Sequence, residues 1–391
     1  MSVGDVIKIR FESIAKSGDA VGRFDGKTVF AEGGAPDEIA ICRITEDKKT
    51  WLRAELLEII ESSPVRTEPP CAFYGKCGGC NLQHINYDAQ LDVKISILKE
   101  SFFRAGAVSE SYTISIPEPK IFSSPPWEYR NRMQFHCLRQ KAKGNNYSFG
   151  LKGKKSGEVV IINDCPIAVP DIRKALNSSS FRVPPEKDRF TVFAKDGIFL
   201  NEGGDERGKI KILDKEIIID SGVFFQSNCI MLEKLVPQLR EIAMKADRNL
   251  PMADLYCGVG TFAFFLADLF PSVILAEENK IAVGIAGENL RNYKTEFFAL
   301  RDTEWQRVLL HKKASYGFAV IDPPRAGLSS GAATALSKNG PDVLAYVSCD
   351  AASLARDSKI LVNSGYKLNQ LMFFDFYPQT AHIESLAVFI R

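Results

Sequence analysis

The chain has 391 residues, more than one typical core holds, so we expect two or three domains. Hydrophobic residues make up 45% and charged residues 25% of the sequence, which is typical of a soluble globular protein. Because no apolar run reaches about 18 residues, and charges begin at Asp5, the sequence favours a cytoplasmic protein without a membrane span or signal peptide.

The first 60 residues predict a small β-barrel. The segments VIKIRFESI, TVFAEG, EIAICRITE and WLRAELLEII have the length and residue types of short strands. We interpret the intervening AKSGDAVGRFDGK as a turn. Such a barrel suits either RNA binding or packing against another domain. The Pro- and Ser-rich segment 62–70 predicts a linker, so we place the first domain at residues 1–62.

In the remaining chain, the predicted secondary structure changes near residue 216. Residues 88–105 have the apolar spacing of an amphipathic helix, and residues 127–220 alternate like antiparallel strands. From about residue 230, short buried strands alternate with helical segments, which predicts βαβ units and a mostly parallel sheet. We therefore expect an α/β domain at 216–391, preceded by a mainly β domain at 63–215.

Positive charge is concentrated in the middle of the chain, although the net charge is only +2. Residues 71–215 carry 23 basic and 16 acidic side chains. Between residues 129 and 157 no acidic residue occurs among eight basic ones: Arg130, Arg132, Arg139, Lys141, Lys143, Lys152, Lys154 and Lys155. This stretch favours contact with phosphates, and a solvated surface is the alternative.

A glycine-rich turn follows the predicted strand ending in Asp254-Leu255. Gly258 and Gly260 let the backbone approach a ligand closely at the start of the next helix. Glu277 ends the following strand, where a carboxylate can accept hydrogen bonds from ribose hydroxyls. The pattern predicts a nucleoside cofactor, with an ordinary tight turn as the alternative.

Two further strands end in reactive side chains. FAVI leads to Asp322 and two prolines, and VLAYVS leads to Cys349, at the edge where open α/β sheets bind ligands. Near the C-terminus, His382 and Glu384 would point to the same side of a strand. Cys349 is a candidate nucleophile and Glu384 a candidate base. The alternatives are a small buried cysteine and a surface charge pair.

Together these motifs resemble the uracil-5 RNA methyltransferase family. The matching segments are FFQ at 224–226, DLYCGVGTF, DPPRAGLS, SCDAASLARD and HIES, and the N-terminal barrel is similar to the TRAM domain. The resemblance implies a Rossmann-like class I methyltransferase domain, S-adenosylmethionine as the methyl donor and structured RNA as the partner. We expect a monomer without an obligate protein partner.

The resemblance also implies roles for individual residues. Cys349 would attack C6 of uracil, Glu384 would remove the C5 proton, and Asp322 would border both the base and the cofactor. The residues implied to contact the cofactor are Gln226, Tyr256, Gly258, Gly260, Thr261, Glu277, Asp302 and Asp322. One departure is Ala351, where the family usually has proline, which should loosen the loop behind the nucleophile.

Four of the nine cysteines have a spacing typical of metal sites. Cys71, Cys77 and Cys80 are followed 85 residues later by Cys165, and four thiolates suit iron–sulfur or zinc. Spacing does not choose between them, whereas the resemblance implies a [4Fe–4S] cluster with a structural role. We interpret four others as core or loop residues: Cys42, Cys137, Cys229 and Cys257.

The resemblance places Arg130 and Arg132 in an RNA-contacting segment. Further phosphate contacts are expected from Lys141, Lys143, Lys152, Lys154 and Lys155. The combination of barrel and cysteine motif favours 23S ribosomal RNA over the tRNA T-loop, which stays the main alternative. A catalytically inactive RNA-binding iron–sulfur protein is a second alternative, and the basic middle region argues against a small-molecule or protein methyltransferase.

Overall fold

The computed structural model describes residues 2–107, 116–139, 147–154, 157–184, 187–304 and 316–391. They form two compact units. The first comprises Met1–Ile97, Phe149–Pro166 and Tyr377–His382, and the second comprises Leu98–Ser148, Ile167–Phe376 and Ile383–Arg391. No helix in the described ranges is long and apolar enough to cross a membrane. The three-domain division at residues 62 and 215 stays a prediction.

The N-terminal strands form the predicted barrel, which closes in the order β1-β2-β3-β5-β4. Its strands are β1 Val6–Ile14, β2 Ala20–Phe24, β3 Lys27–Ala31, β4 Ile39–Asp47 and β5 Trp51–Glu61. The interpretation of AKSGDAVGRFDGK as a single turn was wrong, because β2 lies within it. The strand was missed because it contains Gly22, a residue that usually indicates a turn. Glycine is required there because a Cβ would stand 2.4 Å from the Arg10 carbonyl oxygen of β1.

The strands after the barrel are β6 Lys120–Phe122, β7 Arg132–Arg139, β8 Tyr147–Lys152, β9 Val159–Ile161, β10 Arg189–Lys195, β11 Ile198–Asn201, β12 Arg207–Ile212, β13 Lys215–Asp220, β14 Met252–Leu255, β15 Val273–Ala276, β16 Thr295–Phe298, β17 Phe318–Ile321, β18 Val343–Ser348, β19 Lys367–Phe374 and β20 Glu384–Ile390. The described helices are α1 Tyr87–Ala107, α2 Pro170–Asn177, α3 Cys229–Ala243, α4 Thr261–Leu266, α5 Lys280–Asn289, α6 Ser330–Asn339 and α7 Ala351–Asn363. Single 3₁₀ turns span Ala267–Leu269 and Asp302–Glu304.

The prediction of antiparallel strands over residues 127–220 is confirmed. Strand β10 pairs antiparallel with both β7 and β11, β8 pairs with β9, and β12 pairs with β13. Helix α2 was not predicted: it begins at Pro170, a residue suited to the first turn of a helix, and buries one short apolar face.

The second unit contains a sheet with the order β16-β15-β14-β17-β18-β20-β19-β6. The strands from β16 to β18 run parallel, and β20 is antiparallel to both of its neighbours. Strands β14, β15 and β17 are buried at every position, as expected for parallel strands covered on both faces. The carboxyl ends of the parallel strands share one edge, where the candidate site lies.

Candidate active site

The register of β18 and β20 brings Cys349 next to Glu384. Ser348, the last residue of β18, pairs with Ser385, so Cys349 and Glu384 lie next to each other at the same end of this antiparallel ladder, close enough for the Glu384 charge to affect the pKa of Cys349. Cys349 is half-buried and Glu384 is only 3% exposed. Strand β20 begins at Glu384, and His382 precedes it with an exposed side chain, so the expectation that both face one side of a strand was wrong.

Burial favours the protonated forms of Cys349, Glu384 and Asp322. It raises the pKa of Cys349 to about 12, and the nearby charges of Glu384 and Asp322 act in the same direction. Burial, with the Asp322 charge, also raises the pKa of Glu384 well above its ordinary value. The pKa of Asp322 rises through burial to about 7. The Arg325 charge opposes the shifts at Cys349 and Glu384.

Asp350 fixes the turn that carries Cys349. Its side chain caps α7 by accepting hydrogen bonds from the backbone N–H groups of Ala352 at 3.1 Å and Ser353 at 2.9 Å. The Ser348 hydroxyl donates to the Asp350 carbonyl oxygen at 3.1 Å. Ala351, which stands where the family usually has proline, is the first residue of α7. These hydrogen bonds therefore close the turn without the rigidity of a proline ring.

The glycine-rich turn lies between β14 and α4. Gly258 and Gly260 adopt left-handed φ values of +54° and +77°. Asp254 is fully buried in β14 and accepts a hydrogen bond from the Ala263 N–H at 2.8 Å, which fastens the turn. Burial raises the pKa of Asp254 to about 8. Thr261 is the first residue of α4 and is 9% exposed.

Glu277 and a Tyr256–Asp302 pair lie around this turn. The Glu277 Oε2 atom accepts from the Gly258 N–H at 3.0 Å, and its Oε1 accepts from the Asn279 N–H at 2.8 Å. A carboxylate with two such bonds still has lone pairs for ribose hydroxyls. The Tyr256 hydroxyl donates to Asp302 Oδ2 at 2.8 Å. The structure thus brings together these predicted cofactor residues.

Gln226 forms a hydrogen bond with Asp322. Its Nε2 atom donates to Asp322 Oδ2 at 3.4 Å, and its buried Oε1 atom has no partner among the described residues. A Cβ at Gly258 would meet nothing within 4 Å. An unsatisfied acceptor and open space beside a glycine turn both fit a nucleoside that carries hydroxyl and amino donors.

The cysteine motif has a different outcome. Among the described residues, no group of three or more His, Cys, Asp or Glu side chains is arranged to hold a metal ion. Cys165 is buried, and Cys71, Cys77 and Cys80 are half-buried. The geometry therefore gives no support to the predicted iron–sulfur cluster.

The predicted RNA contacts lie in several settings. Arg130 Nε donates to the Arg132 carbonyl oxygen at 3.2 Å, and the Arg132 guanidinium lies 5.9 Å from the ring centre of Phe224, which is 59% exposed. Lys152 is exposed, and Lys154 pairs with Glu32 at 2.8 Å. Three residues lie outside the described ranges: Lys141, Lys143 and Lys155.

The sequence assigned no role to two charged groups that the structure connects to the site. Arg325 lies near enough to Cys349 and Glu384 to affect both pKa values. Asp357 is fully buried and accepts hydrogen bonds from the Tyr346 hydroxyl at 2.7 Å and the Leu328 N–H at 2.8 Å. Both lie within the sequence motifs DPPRAGLS and SCDAASLARD, and these motifs are the sequence signal for the two residues.

Comparison with known proteins decides the family. A family model described as "tRNA (Uracil-5-)-methyltransferase" matches residues 205–391, and the TRAM domain model matches residues 2–57. A Treponema denticola protein named "Uncharacterized RNA methyltransferase" is 34% identical, covering 93% of this chain and 94% of that protein. The chain belongs to the RNA (uracil-5-)-methyltransferase family.

Two proteins named as RNA uracil-C5 methyltransferases are similar over most or all of their length. The Aliivibrio salmonicida protein named "23S rRNA (uracil(1939)-C(5))-methyltransferase RlmD" is 27% identical, covering 94% of this chain and 92% of that protein. The solved structure of the Pyrococcus abyssi tRNA (uracil-54, C5)-methyltransferase has a TM-score of 0.71 and 22% identity, covering 98% of this chain and 100% of that one. The latter likeness shows a shared fold.

Proposed function

We propose that this RNA (uracil-5-)-methyltransferase acts through a covalent bond between Cys349 and C6 of the target uracil, with Glu384 as the base. The observation that carries the proposal is the β18–β20 register, which sets a thiol beside a buried carboxyl group. Uracil C5 is a weak nucleophile, and addition of a thiol at C6 converts it to an enolate-like carbon. Covalent catalysis of this kind divides one difficult step into easier ones.

The proton and electron movements follow from the groups present. The Cys349 thiol loses its proton, and we assign Asp322 as its acceptor, because this carboxyl group lies near the thiol and burial raises its pKa. The sulfur bonds to C6 and the electron pair of the C5–C6 double bond moves toward C5. S-adenosylmethionine, when bound, would supply the methyl group that bonds to C5, as its methyl–sulfur bond breaks and S-adenosylhomocysteine is left. Glu384 then takes the C5 proton, the C6–S bond breaks, and the double bond and the cysteine are restored.

Arg325 prepares these side chains for the reaction. The resting pocket favours neutral Cys349 and Glu384, because each is buried near other carboxyl groups. Arg325 favours their charged forms, and we assign it the role of stabilising the thiolate and the carboxylate once uracil excludes water.

We assign the methyl donor to the groove beside the glycine-rich turn. Glu277 would accept the ribose hydroxyls, and the unpartnered Oε1 of Gln226 would accept a donor of the bound nucleoside. Tyr256 and Asp302 would border the opposite side of the same groove. Thr261, Gly258 and Gly260 would approach it through backbone atoms.

We propose 23S ribosomal RNA as the substrate. Support comes from the name of the Aliivibrio relative, which covers 94% of this chain. A tRNA uridine is the second candidate, because the Pyrococcus protein of shared fold is named as a tRNA enzyme. Transfer of labelled methyl groups to 23S rRNA and tRNA transcripts, followed by mass mapping of 5-methyluridine, distinguishes them. Label in tRNA alone would contradict the first choice, and label in neither would contradict methylation of both.

The predicted RNA contacts also stay part of this proposal. Exposed Lys152, with Arg130 and Arg132, would contact phosphates, so affinity for the transcript should fall steeply as salt rises. Lys152→Glu should weaken binding, measured by fluorescence anisotropy at two salt concentrations, and reduce the salt dependence. Unchanged affinity would remove Lys152 from the RNA surface.

We further propose, on the cysteine spacing together with the family resemblance, that Cys71, Cys77, Cys80 and Cys165 bind a [4Fe–4S] cluster. The described geometry does not gather them into a metal site, so no step of the reaction is assigned to the cluster. Anaerobic purification followed by iron and acid-labile sulfide analysis tests it. About four irons per chain in the wild type, lost in Cys80→Ser, are expected, and an iron-free wild-type protein would contradict the proposal.

A further inference from the structure

The loop that follows β17, which contains Ala326 and Leu328, is hydrogen-bonded to helix α7, the helix that follows Cys349. The Oδ2 atom of Asp357 accepts hydrogen bonds from the Leu328 N–H at 2.8 Å and from the Tyr346 hydroxyl at 2.7 Å. Asp357 is fully buried, and a buried carboxylate is costly unless donors of this kind surround it. The loop therefore supplies one of the bonds that this carboxylate requires.

Arg356 attaches the same loop a second time. Its Nε atom donates to Asp357 Oδ1 at 2.8 Å, and its Nη2 atom donates to the Ala326 carbonyl oxygen at 2.8 Å. Gly327 lies between the two attachments at a φ of +77°. A Cβ there would stand 2.4 Å from Asp357 Oδ2 and 2.5 Å from Arg356 Nη2. The loop backbone thus lies directly on the Arg356–Asp357 pair.

The attached loop leads to the proposed cofactor residues. Ser329 follows Leu328 and caps α6 by accepting a hydrogen bond from the Ala332 N–H at 3.1 Å. The backbone N–H of Ser329 lies close enough to the Tyr256 hydroxyl to oppose the rise that burial causes in its pKa. That hydroxyl donates to Asp302 Oδ2 at 2.8 Å, and α6 packs against the turn that contains Asp302. A set of contacts therefore runs from α7 through the loop to Tyr256 and Asp302.

We propose that Asp357 and Arg356 are positioning residues that set the affinity for the methyl donor by holding Ser329 against Tyr256. The inference rests on the proposed assignment of Tyr256 and Asp302 to the cofactor groove. Both positioning residues act through the loop backbone. Their loss should therefore weaken donor binding and raise the KM for the donor, while kcat at saturating donor changes much less.

The test is calorimetric binding of S-adenosylhomocysteine to the full chain, with thermal denaturation of each variant in parallel. Asp357→Asn and Arg356→Gln should weaken binding by about tenfold or more, because each loosens the attachment of the loop. Tyr346→Phe is the matched control: it removes a bond to the same Asp357 oxygen without touching the loop. Its affinity should stay within about twofold of the wild type.

The outcomes separate this inference from the proposed function. Wild-type protein that does not bind S-adenosylhomocysteine would overturn the cofactor groove and this inference with it. Wild-type binding together with unchanged affinity in Asp357→Asn and Arg356→Gln would overturn the inference alone, as would an equal loss in Tyr346→Phe. If Asp357→Asn does not fold, Arg356→Gln decides, because the Arg356 side chain is 53% exposed.

Discussion

The Nε2 atom of Gln226 donates to Oδ2 of Asp322 at 3.4 Å, which joins the segment before α3 to the carboxyl end of β17. Gln226 thereby contacts the group that we assign as acceptor of the thiol proton. A donor to the charged form of a carboxyl group favours ionisation. We therefore expect substitution of Gln226 to change the protonation state of Asp322.

The first prediction concerns pH. Burial raises the pKa of Asp322 to about 7, so its ionised form increases as pH rises through 7 and kcat/KM should rise with it. Gln226→Leu removes the donor and should move this rise upward by about half to one pH unit. Asp322→Asn should abolish this limb of the profile. A profile that is identical in wild type and Asp322→Asn would contradict the assigned role.

The second prediction concerns the C5 proton. Glu384→Gln leaves Cys349 and the methyl donor in place, so addition and methyl transfer should proceed while removal of the proton fails. We expect kcat to fall by about 10²–10⁴-fold and a covalent enzyme–RNA complex to accumulate with unmodified uridine, seen on a denaturing gel. The matched control is Glu288→Gln, which alters a surface pair with Arg207. Rapid turnover without an accumulating complex would exclude Glu384 as the base.

The third prediction compares two glycines of one turn. Alanine in a left-handed conformation costs about 1–2 kcal/mol, so both Gly258→Ala and Gly260→Ala should lower the melting temperature. Gly260→Ala should lower it more, because its Cβ would stand 3.1 Å from Ala286 Cβ, whereas a Cβ at Gly258 meets nothing within 4 Å. Gly258→Ala should instead chiefly weaken binding of S-adenosylhomocysteine, since the new methyl group enters the groove. If the two substitutions had equal effects on the melting temperature and equal effects on S-adenosylhomocysteine binding, these different roles of the two glycines would be contradicted.

The fourth prediction is the dependence of stability on pH at Asp254. Burial raises the pKa of this carboxyl group to about 8 in the folded state, so ionisation costs folding free energy as pH rises from about 4 to about 8. Asp254→Asn cannot ionise and keeps an acceptor for the Ala263 N–H. Its free energy of unfolding relative to the wild type should therefore increase over this range, by about 2 kcal/mol or more. If the difference in free energy of unfolding between Asp254→Asn and the wild type were the same at pH 5 and pH 8, the raised pKa of Asp254 would be contradicted.

Most strands and turns formed by contiguous residues could be predicted from the sequence, whereas most contacts between residues far apart in the chain could not. The strand before Cys349 and the turn at Gly258 are recognisable because their residue types are contiguous. The proximity of Cys349 and Glu384 depends on the antiparallel pairing of β18 with β20, which no local sequence pattern reports. Strand β2 was missed because a glycine is required by the close approach of β1. Asp357 was missed because its partners, Tyr346 and Leu328, are recognisable only in the folded chain.

The central claim is the bond between Cys349 and uracil. The most direct measurement uses RNA that carries 5-fluorouridine at the target position, because fluorine at C5 is not removed as a proton and the adduct persists. Wild-type enzyme with the methyl donor should form a denaturation-resistant complex whose mass spectrum places the RNA on Cys349, and Cys349→Ala should form none. An adduct that persists in Cys349→Ala, or that maps to Cys257, would contradict the account.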